Sequence, residues 1–423
     1  MPVFVIGLDG LPYTMLKSLM ERGCMPFLSD LVRGSDISFL QSRSSIPPVS
    51  SVAWTTWMTA SNPAEHGILG FADFVKGSYK IYFPLSKDRK RETVFEAASK
   101  KGLKCAVINL PSTFPATPLN GKMVSGFVAL DLERSVYPRE WLSELNRIGY
   151  RIDLDLNRAK DLDYLCKELD ALLEIRQKAF LMTLKEGFDL WIGIITETDR
   201  LLHFLYHAYE EEENRYHPFV IEYFRKIDKV LERVFEDYVK DSPFFILSDH
   251  GFTRIKTEFY LNNWLKEEGY LQLMKDLPAI PSDIYPEKSL FISLDPGRIY
   301  CNKRERFEKG LEITEEEWQD LTDELFSKLF SLEFDGERVV DRILFKEEVY
   351  HGECIENAPD LVILPRDGFD LKSRMQNEDI FTKTHFTGCH TYTDAFLITN
   401  TEVPAEPDVE SIGRALFRKM GLD

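Results

Sequence analysis

Cysteine is scarce in this chain, and long apolar runs are missing. The six cysteines are spread over 423 residues with no CxxC pair and no regular spacing. This excludes a disulfide framework and is typical of free thiols in a reducing compartment. No segment approaches the roughly 18 uninterrupted apolar residues of a membrane span, and the first apolar run lacks a basic leader and contains Asp9. We therefore predict a cytoplasmic protein that is neither secreted nor inserted in a membrane.

Basic residues are outnumbered by acidic residues, 52 to 70. The formal net charge is −18, and nonspecific nucleic-acid binding depends on Lys and Arg side chains that neutralise phosphates. Nucleic acid is therefore not an expected partner. The hydrophobic content of 44% allows a large core. Composition favours a globular protein that binds small molecules, and it leaves the oligomeric state open.

Apolar runs of strand length alternate with stretches of helix length. The strand-like runs lie at 3–8, 104–108, 190–195, 244–248 and 394–399, and the helical stretches include 92–101, 160–186 and 216–238. This alternation predicts an α/β fold with a mainly parallel central sheet flanked by helices on both faces. We assign residues 1–251 and 385–423 to this core.

The segment FFILSDHG is the most informative in the chain. Its short apolar run ends in adjacent Asp249 and His250, followed by Gly251. In open α/β sheets ligands bind just beyond the carboxyl ends of strands. Neighbouring side chains within a strand face opposite ways, so the pair can reach one ion only where the strand has ended. Taken alone, such a pair is more often a helix cap and a surface histidine.

Three further segments carry an aspartate or histidine at a strand end or helix start. VFVIGLDG delivers Asp9, for which an ordinary Asp-Gly turn is the alternative. ITETDRLLH carries Asp199 and His203 four residues apart, on one helical face, which is the geometry that two ligands of one ion require. His390 is expected in a turn before the last apolar run, where a lone histidine is usually structural.

Together these segments supply three carboxylates and three imidazoles. They are Asp9, Asp199, His203, Asp249, His250 and His390. Mixed Asp and His ligands suit zinc, although manganese and iron accept the same donors. Six ligands are too many for one tetrahedral ion but enough for two, and two-metal sites stabilise both the attacking and the leaving oxygen in phosphoryl displacement. We therefore predict two divalent metal ions.

A nucleophile is expected near such ions, and IPPVSSVAWTTWMT offers one. Pro47 and Pro48 prevent a helix before them, and the residues that follow have helical spacing, so Ser50 falls at or next to the helix N-cap. In one interpretation Ser50 only caps the helix. In the other, the helix dipole and an ion stabilise its alkoxide in a phosphate pocket. Ser51 is a rival for the same role.

The interval 252–384 separates the Asp-His pair from His390. The pattern predicts a helix at 258–268, short strands near 290–301 and 338–345, and an amphipathic helix at 315–332. We interpret the interval as an inserted smaller α+β subdomain, or cap. Because it interrupts the candidate ligands in sequence, it can overhang the site and determine which leaving group is accepted.

The order of these motifs resembles the type I phosphodiesterase and nucleotide pyrophosphatase family of the alkaline phosphatase superfamily, in particular its prokaryotic members. The motifs that carry the resemblance are LDG, the Ser50 helix, HGI, ETD, SDHG and GCH. The resemblance implies an alkaline phosphatase-like fold and two zinc ions. It implies that one ion is held by Asp199, His203 and His390, and the other by Asp9, Ser50, Asp249 and His250.

The resemblance also implies that Ser50 rather than Ser51 is the nucleophile, and that His66 lies outside the metal shell. The implied activity is cleavage of phosphodiester or pyrophosphate bonds in small phosphate-ester or nucleotide substrates, through a covalent phosphoseryl intermediate. The alternatives are a phosphomonoesterase, a phosphoryl transferase, and a catalytically silent protein that binds metal or phosphate esters.

The chain departs from the family pattern near the phosphate. Phe71 stands where relatives place an asparagine that helps to hold a phosphate oxygen. Arg200 and Lys383 are the cations found around the matched motifs, and both are expected to lie in solvent. Because a monoester carries more charge than a diester and calls for an additional cation, we expect diesters to be preferred.

Overall fold

The computed structural model describes residues 1–383 and 385–422. Thr384 and Asp423, the last residues of the predicted insertion and core, lie outside the described residues. Contacts within the chain define two units. The first comprises residues 1–61, 85–253 and 385–423, and the second comprises residues 62–84 and 254–384.

The strands of the described residues are numbered in chain order. They are β1 (Val3–Leu8), β2 (Ser38–Ser42), β3 (Asp73–Phe74), β4 (Ile81–Tyr82), β5 (Cys105–Leu110), β6 (Gly121–Ser125), β7 (Val136–Tyr137), β8 (Leu190–Ile195), β9 (Phe244–Leu247), β10 (Gly251–Arg254), β11 (Thr257–Tyr260), β12 (Phe291–Leu294), β13 (Arg298–Cys301), β14 (Glu333–Phe334), β15 (Glu337–Arg338), β16 (Val340–Phe345), β17 (Leu361–Pro365), β18 (Phe369–Lys372), β19 (Phe381–Thr382), β20 (Gly388–Thr391) and β21 (Ala395–Thr399).

The α-helices are numbered in the same way. They are α1 (Tyr13–Glu21), α2 (Pro26–Leu31), α3 (Ser50–Thr59), α4 (Pro63–His66), α5 (Val94–Lys100), α6 (Leu142–Arg147), α7 (Leu162–Leu184), α8 (Glu197–Glu210), α9 (His217–Val234), α10 (Leu261–Glu267), α11 (Glu315–Ser331), α12 (Lys346–Val349) and α13 (Val409–Lys419).

The first unit is built on an eight-stranded sheet of order β2-β21-β9-β1-β8-β5-β6-β7. The central strands β9, β1, β8, β5 and β6 are parallel to one another. Strand β21 pairs antiparallel with both β9 and β2, and β7 pairs antiparallel with β6. The mainly parallel sheet predicted from the sequence is confirmed.

Helices cover both faces of this sheet. In β1, Phe4, Ile6 and Leu8 belong to one apolar core, shared with helices α1, α2, α7, α8 and α9. Val3 and Val5 belong to another, shared with α3, α5 and α13. Side chains alternate across a strand, so an unbroken apolar run is what a strand buried on both faces requires. The sequence of β1 therefore follows from its central position.

The second unit consists of small sheets and helices. One sheet has the order β12-β13-β17-β16 and another has the order β18-β11-β19. Leu325 and Leu329 of α11 are buried in the core of this unit, on the apolar side of the predicted amphipathic helix. The small sheets and helices agree with the predicted α+β character.

Residues 62–84 correct the domain boundaries drawn from the sequence. They were assigned to the core, but they belong to the second unit. Within that unit, Asp73 of β3 forms a buried ion pair with Arg298 of β13 at 2.6 Å. Burying both charges is tolerable only because they are paired, and a pairing between residues so far apart leaves no signal in the local sequence.

The predicted helix at 258–268 is also partly wrong. Residues Thr257–Tyr260 form β11, which pairs in parallel with β18, and the helix α10 begins only at Leu261. All residues of β11 are buried. The partner strand is distant in sequence, so tertiary pairing overrides the helical pattern of the segment.

The six cysteines are free thiols, and burial raises the pKa of Cys105 and of Cys301 to about 12. Neither is therefore a reactive thiolate at neutral pH. Among the described residues, no helix has both the length and the apolar character needed to cross a membrane.

Candidate active site

Adjacent strand ends carry most of the predicted site residues. Strands β9, β1 and β8 are neighbours and run parallel, so their carboxyl ends meet at one edge of the sheet, where ligands bind in open α/β sheets. Asp9 follows β1, and Asp249 and His250 follow β9. Helix α8, which begins shortly after β8, carries Asp199 and His203.

His390 reaches the same edge in a different way from that predicted. It lies in β20 rather than in a turn, and β20 pairs with β10, which starts immediately after His250. This pairing brings a histidine from beyond the insertion to the end of β9. The sequence identified the residue but not the strand that carries it.

Asp199, His203 and His390 form a first cluster, called here the Asp199 group. The Oδ1 atom of Asp199 lies 3.4 Å from Nε2 of His203 and 3.2 Å from Nε2 of His390. The two Nε2 atoms are 3.1 Å apart. Three ligand-type atoms therefore converge closely enough to hold one metal ion.

Asp9, Asp249 and His250 form a second cluster, called here the Asp9 group, and it is buried. Nε2 of His250 lies 3.4 Å from Oδ2 of Asp249 and 3.8 Å from Oδ1 of Asp9. Ser50, the first residue of α3, contacts the same group. Its Oγ lies 3.3 Å from Oδ1 of Asp9 and 3.2 Å from Nε2 of His250.

The three imidazoles have a common orientation, because a backbone carbonyl holds Nδ1 of each. The Nδ1–O distances are 3.2 Å for His203 and Gly388, 2.9 Å for His390 and Pro48, and 3.1 Å for His250 and Gly251. A carbonyl only accepts, so each Nδ1 carries the proton. Burial lowers the pKa of His250 and of His390, which keeps both neutral. Their Nε2 lone pairs then face the clusters, as in metal-binding histidines.

The three carboxylates are held in a matching way, with one oxygen of each bound by a donor. Nε1 of Trp54 donates to Oδ2 of Asp9 at 2.9 Å, Nη1 of Arg200 to Oδ2 of Asp199 at 2.8 Å, and the amide of Gly10 to Oδ1 of Asp249 at 3.0 Å. Oδ1 of Asp199 and Oδ2 of Asp249 are buried and accept no hydrogen bond within the described part of the chain. Buried acceptors facing unprotonated nitrogens are what a bound cation would satisfy, so these residues fit metal ions.

The pKa values of the carboxyl groups reflect this crowding of charge. Burial, together with the nearby Asp249 and Asp199, raises the pKa of Asp9 well above its usual value. Burial also raises the pKa of Asp249 to about 7, although the Gly10 amide acts against it. Burial acts in the same direction on Asp199, but His203, His390 and Arg200 outweigh it and hold its pKa well below normal. Such shifts are common at functional sites.

Arg200 corrects an expectation from the sequence. It does not lie in solvent, since only 8% of its surface is exposed and its guanidinium bonds Asp153 and Asp199. Asp153 has no motif around it, so the sequence gave no sign of the pair. Trp54 is buried in the core, and its bond to Asp9 gives it a role at the site as well.

Neither group includes Ser51, His66 or Phe71. Ser51 is buried, but its Oγ makes no hydrogen bond within the described residues. His66 and Phe71 belong to the second unit. In that unit Nδ1 of His66 accepts a hydrogen bond from the amide of Ile68 at 3.2 Å.

Comparison with known proteins places the chain in a family. The model of the type I phosphodiesterase / nucleotide pyrophosphatase family matches residues 3–393. No curated protein matches the chain. Solved structures do match, and they include structures that cover nearly the whole chain.

The structure of phosphonoacetate hydrolase from Sinorhizobium meliloti 1021, in complex with phosphonoacetate, is 16% identical with a TM-score of 0.66, over 98% of this chain and 95% of that chain. Murine ectonucleotide pyrophosphatase / phosphodiesterase 5 is 12% identical with a TM-score of 0.58, over 100% of this chain and 96% of that chain. At these identities the likeness shows a shared alkaline phosphatase-like fold. The family match spans most of the chain, and the chain therefore belongs to the type I phosphodiesterase / nucleotide pyrophosphatase family, whose members are metal-dependent hydrolases of phosphate esters.

Proposed function

We propose that the chain is a two-metal hydrolase that cleaves phosphodiester or pyrophosphate bonds in small substrates through a phosphoseryl intermediate. The position of Ser50 carries the proposal. Its Oγ lies within 3.3 Å of both Asp9 Oδ1 and His250 Nε2, at the start of a ten-residue helix. A hydroxyl so placed faces a cluster of metal-ligand type and a helix N-terminus that favours negative charge.

The two clusters would hold one ion each. The Asp199 group would hold one with three side chains, and the Asp9 group together with Ser50 would hold the other. The donor set of carboxylates and imidazoles suits zinc best. Bound divalent ions supply positive charge that stabilises the attacking and leaving oxygens of a phosphoryl displacement.

The side chains of the site have distinct tasks in the proposed reaction. Ser50 Oγ attacks phosphorus, so that an O–P bond to Ser50 forms while the bond to the leaving group breaks. Asp9 and His250 lie next to the hydroxyl and orient it. Its proton would pass to solvent water, because ions held by the two clusters would stabilise the alkoxide. Water then attacks the phosphoseryl group, which restores the Ser50 hydroxyl and releases the phosphate product. The dipole of α3 stabilises the negative charge on the transferred group.

Small phosphate esters or nucleotides are the proposed substrates, and the cytoplasm is the proposed location. The net charge of −18 acts against polyanionic partners. It does not act against a phosphate at the site, because metal ions dominate the local field there.

The proposed function is tested by assaying purified protein whose metal content has been measured. Purified protein is stripped with a chelator, reloaded with zinc or manganese, and assayed with bis-nitrophenyl phosphate, nitrophenyl phosphate, a nucleotide diester and phosphonoacetate. We expect metal-dependent hydrolysis with a diester as the best substrate. A fully loaded protein that hydrolyses none of the four would overturn the proposal and leave a silent binding protein.

A further inference from the structure

Arg200 is a buried charge beside a candidate metal ligand. It follows Asp199 on α8, and its Nη1 donates to Asp199 Oδ2 at 2.8 Å. Its Nε and Nη2 both donate to Asp153, with the shortest contact at 2.6 Å. The ring of Phe127 lies 4.5 Å from the guanidinium carbon. The guanidinium is therefore fixed between two carboxylates and an aromatic ring.

This arrangement divides the two oxygens of Asp199 between two tasks. Oδ2 is taken by Arg200, and Oδ1 faces the Nε2 atoms of His203 and His390 at 3.4 Å and 3.2 Å. A carboxylate with both oxygens free can bind an ion through both. With Oδ2 held by a forked, charged donor, only Oδ1 is left for the ion.

We propose that Arg200 is a positioning residue, held in place by Asp153, that restricts Asp199 to one-oxygen binding of its ion. The inference rests on the proposed function, since it concerns the ion of the Asp199 group. A site with three single-atom protein ligands keeps a position open for substrate, which is the usual arrangement of a catalytic zinc site. Two-oxygen binding by Asp199 would add a further ligand to the ion and crowd that position.

The Asp9 group shows the same geometry with a different donor. The neutral indole of Trp54 holds Asp9 Oδ2 at 2.9 Å, where Asp199 has a charged guanidinium. The charge of Arg200 is compensated by Asp153. The two carboxylate oxygens of Asp153 accept hydrogen bonds from the fork formed by Nε and Nη2 of Arg200. Lysine lacks this fork, so Arg200→Lys keeps a donor to Asp199 but weakens the link to Asp153.

The test uses the cobalt-loaded full-length protein, because tetrahedral cobalt absorbs visible light more strongly than cobalt with more ligands. Arg200→Met, Arg200→Lys and Asp153→Asn are compared with wild type at equal cobalt content. Arg33→Met is the matched control, because it breaks an Arg–Asp pair of similar length, 2.7 Å to Asp30, that lies on the surface.

We expect Arg200→Met to keep two cobalt ions but to lose about half of the visible absorption, because one of the two ions gains a ligand. Its turnover of bis-nitrophenyl phosphate should fall about tenfold, a typical effect of removing a group that orients a ligand. Arg200→Lys should restore most of the absorption, Asp153→Asn should lie between wild type and Arg200→Met, and Arg33→Met should match wild type.

Unchanged absorption in both Arg200→Met and Asp153→Asn would overturn the inference. If Arg200→Met fails to fold, Asp153→Asn decides the question, since the proposal requires it to lose absorption. Failure of the proposed function itself gives a different result. In that case the wild-type protein would not bind two ions or would hydrolyse no phosphate ester, whatever the variants do.

Discussion

The imidazole rings of His250 and His390 stack with their centroids 3.7 Å apart and their planes 21° from parallel. His250 belongs to the Asp9 group and His390 to the Asp199 group, so this contact joins the two candidate metal sites. Close stacking of two imidazoles favours the neutral form of both, which is the form that binds metal. The pair therefore couples the geometry of one site to that of the other.

Replacing Ser50 should reduce activity strongly and leave stability nearly unchanged. Ser50→Ala removes the proposed nucleophile, and we expect turnover to fall by about three orders of magnitude or more. The free energy of unfolding should change by less than about 1 kcal/mol, because no core packing is lost. Ser51→Ala is the matched control and should keep wild-type activity. The reverse pattern would assign the nucleophile to Ser51.

Each of the two groups should bind its own metal ion independently of the other. Wild-type protein should bind two divalent ions, as expected for a two-metal site. His203→Ala should lose the ion of the Asp199 group and Asp249→Asn that of the Asp9 group, because each variant removes a ligand from one group only. Elemental analysis of the purified variants measures this. A wild-type content of one ion, or the loss of both ions in each variant, would contradict the assignment of separate sites.

Metal binding should release protons near pH 6. The pKa of Asp249 is raised to about 7 by burial, so the metal-free protein holds a proton on this carboxyl group there, and burial raises the pKa of Asp9 in the same direction. An acid with a raised pKa must lose its proton to bind an ion. Metal affinity should therefore increase as the pH rises through 7. His250 and His390 add little, because burial lowers their pKa values.

Titration calorimetry in two buffers of different ionisation enthalpy measures the protons released. At pH 6 the heat of zinc binding should depend on the buffer, and this dependence should be weaker at pH 8. A heat that is the same in both buffers at pH 6 would show that the carboxyl groups are already ionised before metal binds.

Gly7 of β1 should not tolerate a methyl group. A Cβ atom there would lie 2.5 Å from Cη2 of Trp54 and 2.6 Å from Cδ1 of Ile194. We expect Gly7→Ala to lower the free energy of unfolding by about 1–3 kcal/mol, as overpacking of a dense core usually does. Chemical denaturation measures the loss. The double variant with Trp54→Phe should lose less free energy of unfolding than the two single variants lose in sum. If the two losses were simply additive, the clash with Trp54 would not be the cause of the destabilisation.

Diesters should be better substrates than monoesters. The guanidinium of Arg200 is engaged by Asp153 and Asp199, so it is not available to balance the extra charge of a monoester. We expect a higher kcat/KM for bis-nitrophenyl phosphate than for nitrophenyl phosphate with zinc or manganese fully loaded. The opposite order would favour the phosphatase alternative.

The sequence predicted the parts of the molecule that have local signals. The apolar run of β1 shows its burial on both faces, and Asp9, Asp249 and His250 are visible because strand ends are marked by the change from apolar to polar residues. Asp199 and His203 follow from helical spacing. Their common location follows from the rule that parallel strands end at one edge of a sheet.

The missed features depend on partners that are distant in sequence. Strand β11 exists because β18 pairs with it, and residues 62–84 join the second unit in which Asp73 meets Arg298. The burial of Arg200 depends on Asp153, which lies in a segment with no motif. In each case a polar or ambiguous residue is explained by one long-range contact, and a single sequence does not record such contacts.

The stereochemistry of hydrolysis at phosphorus is the most direct test of the proposed role of Ser50. A chiral phosphorothioate diester is hydrolysed by the metal-loaded enzyme in isotopically labelled water, and the configuration of the product is determined. Each in-line displacement inverts phosphorus, so attack by Ser50 followed by attack of water predicts net retention. Net inversion would show a single displacement by water and would contradict a phosphoseryl intermediate.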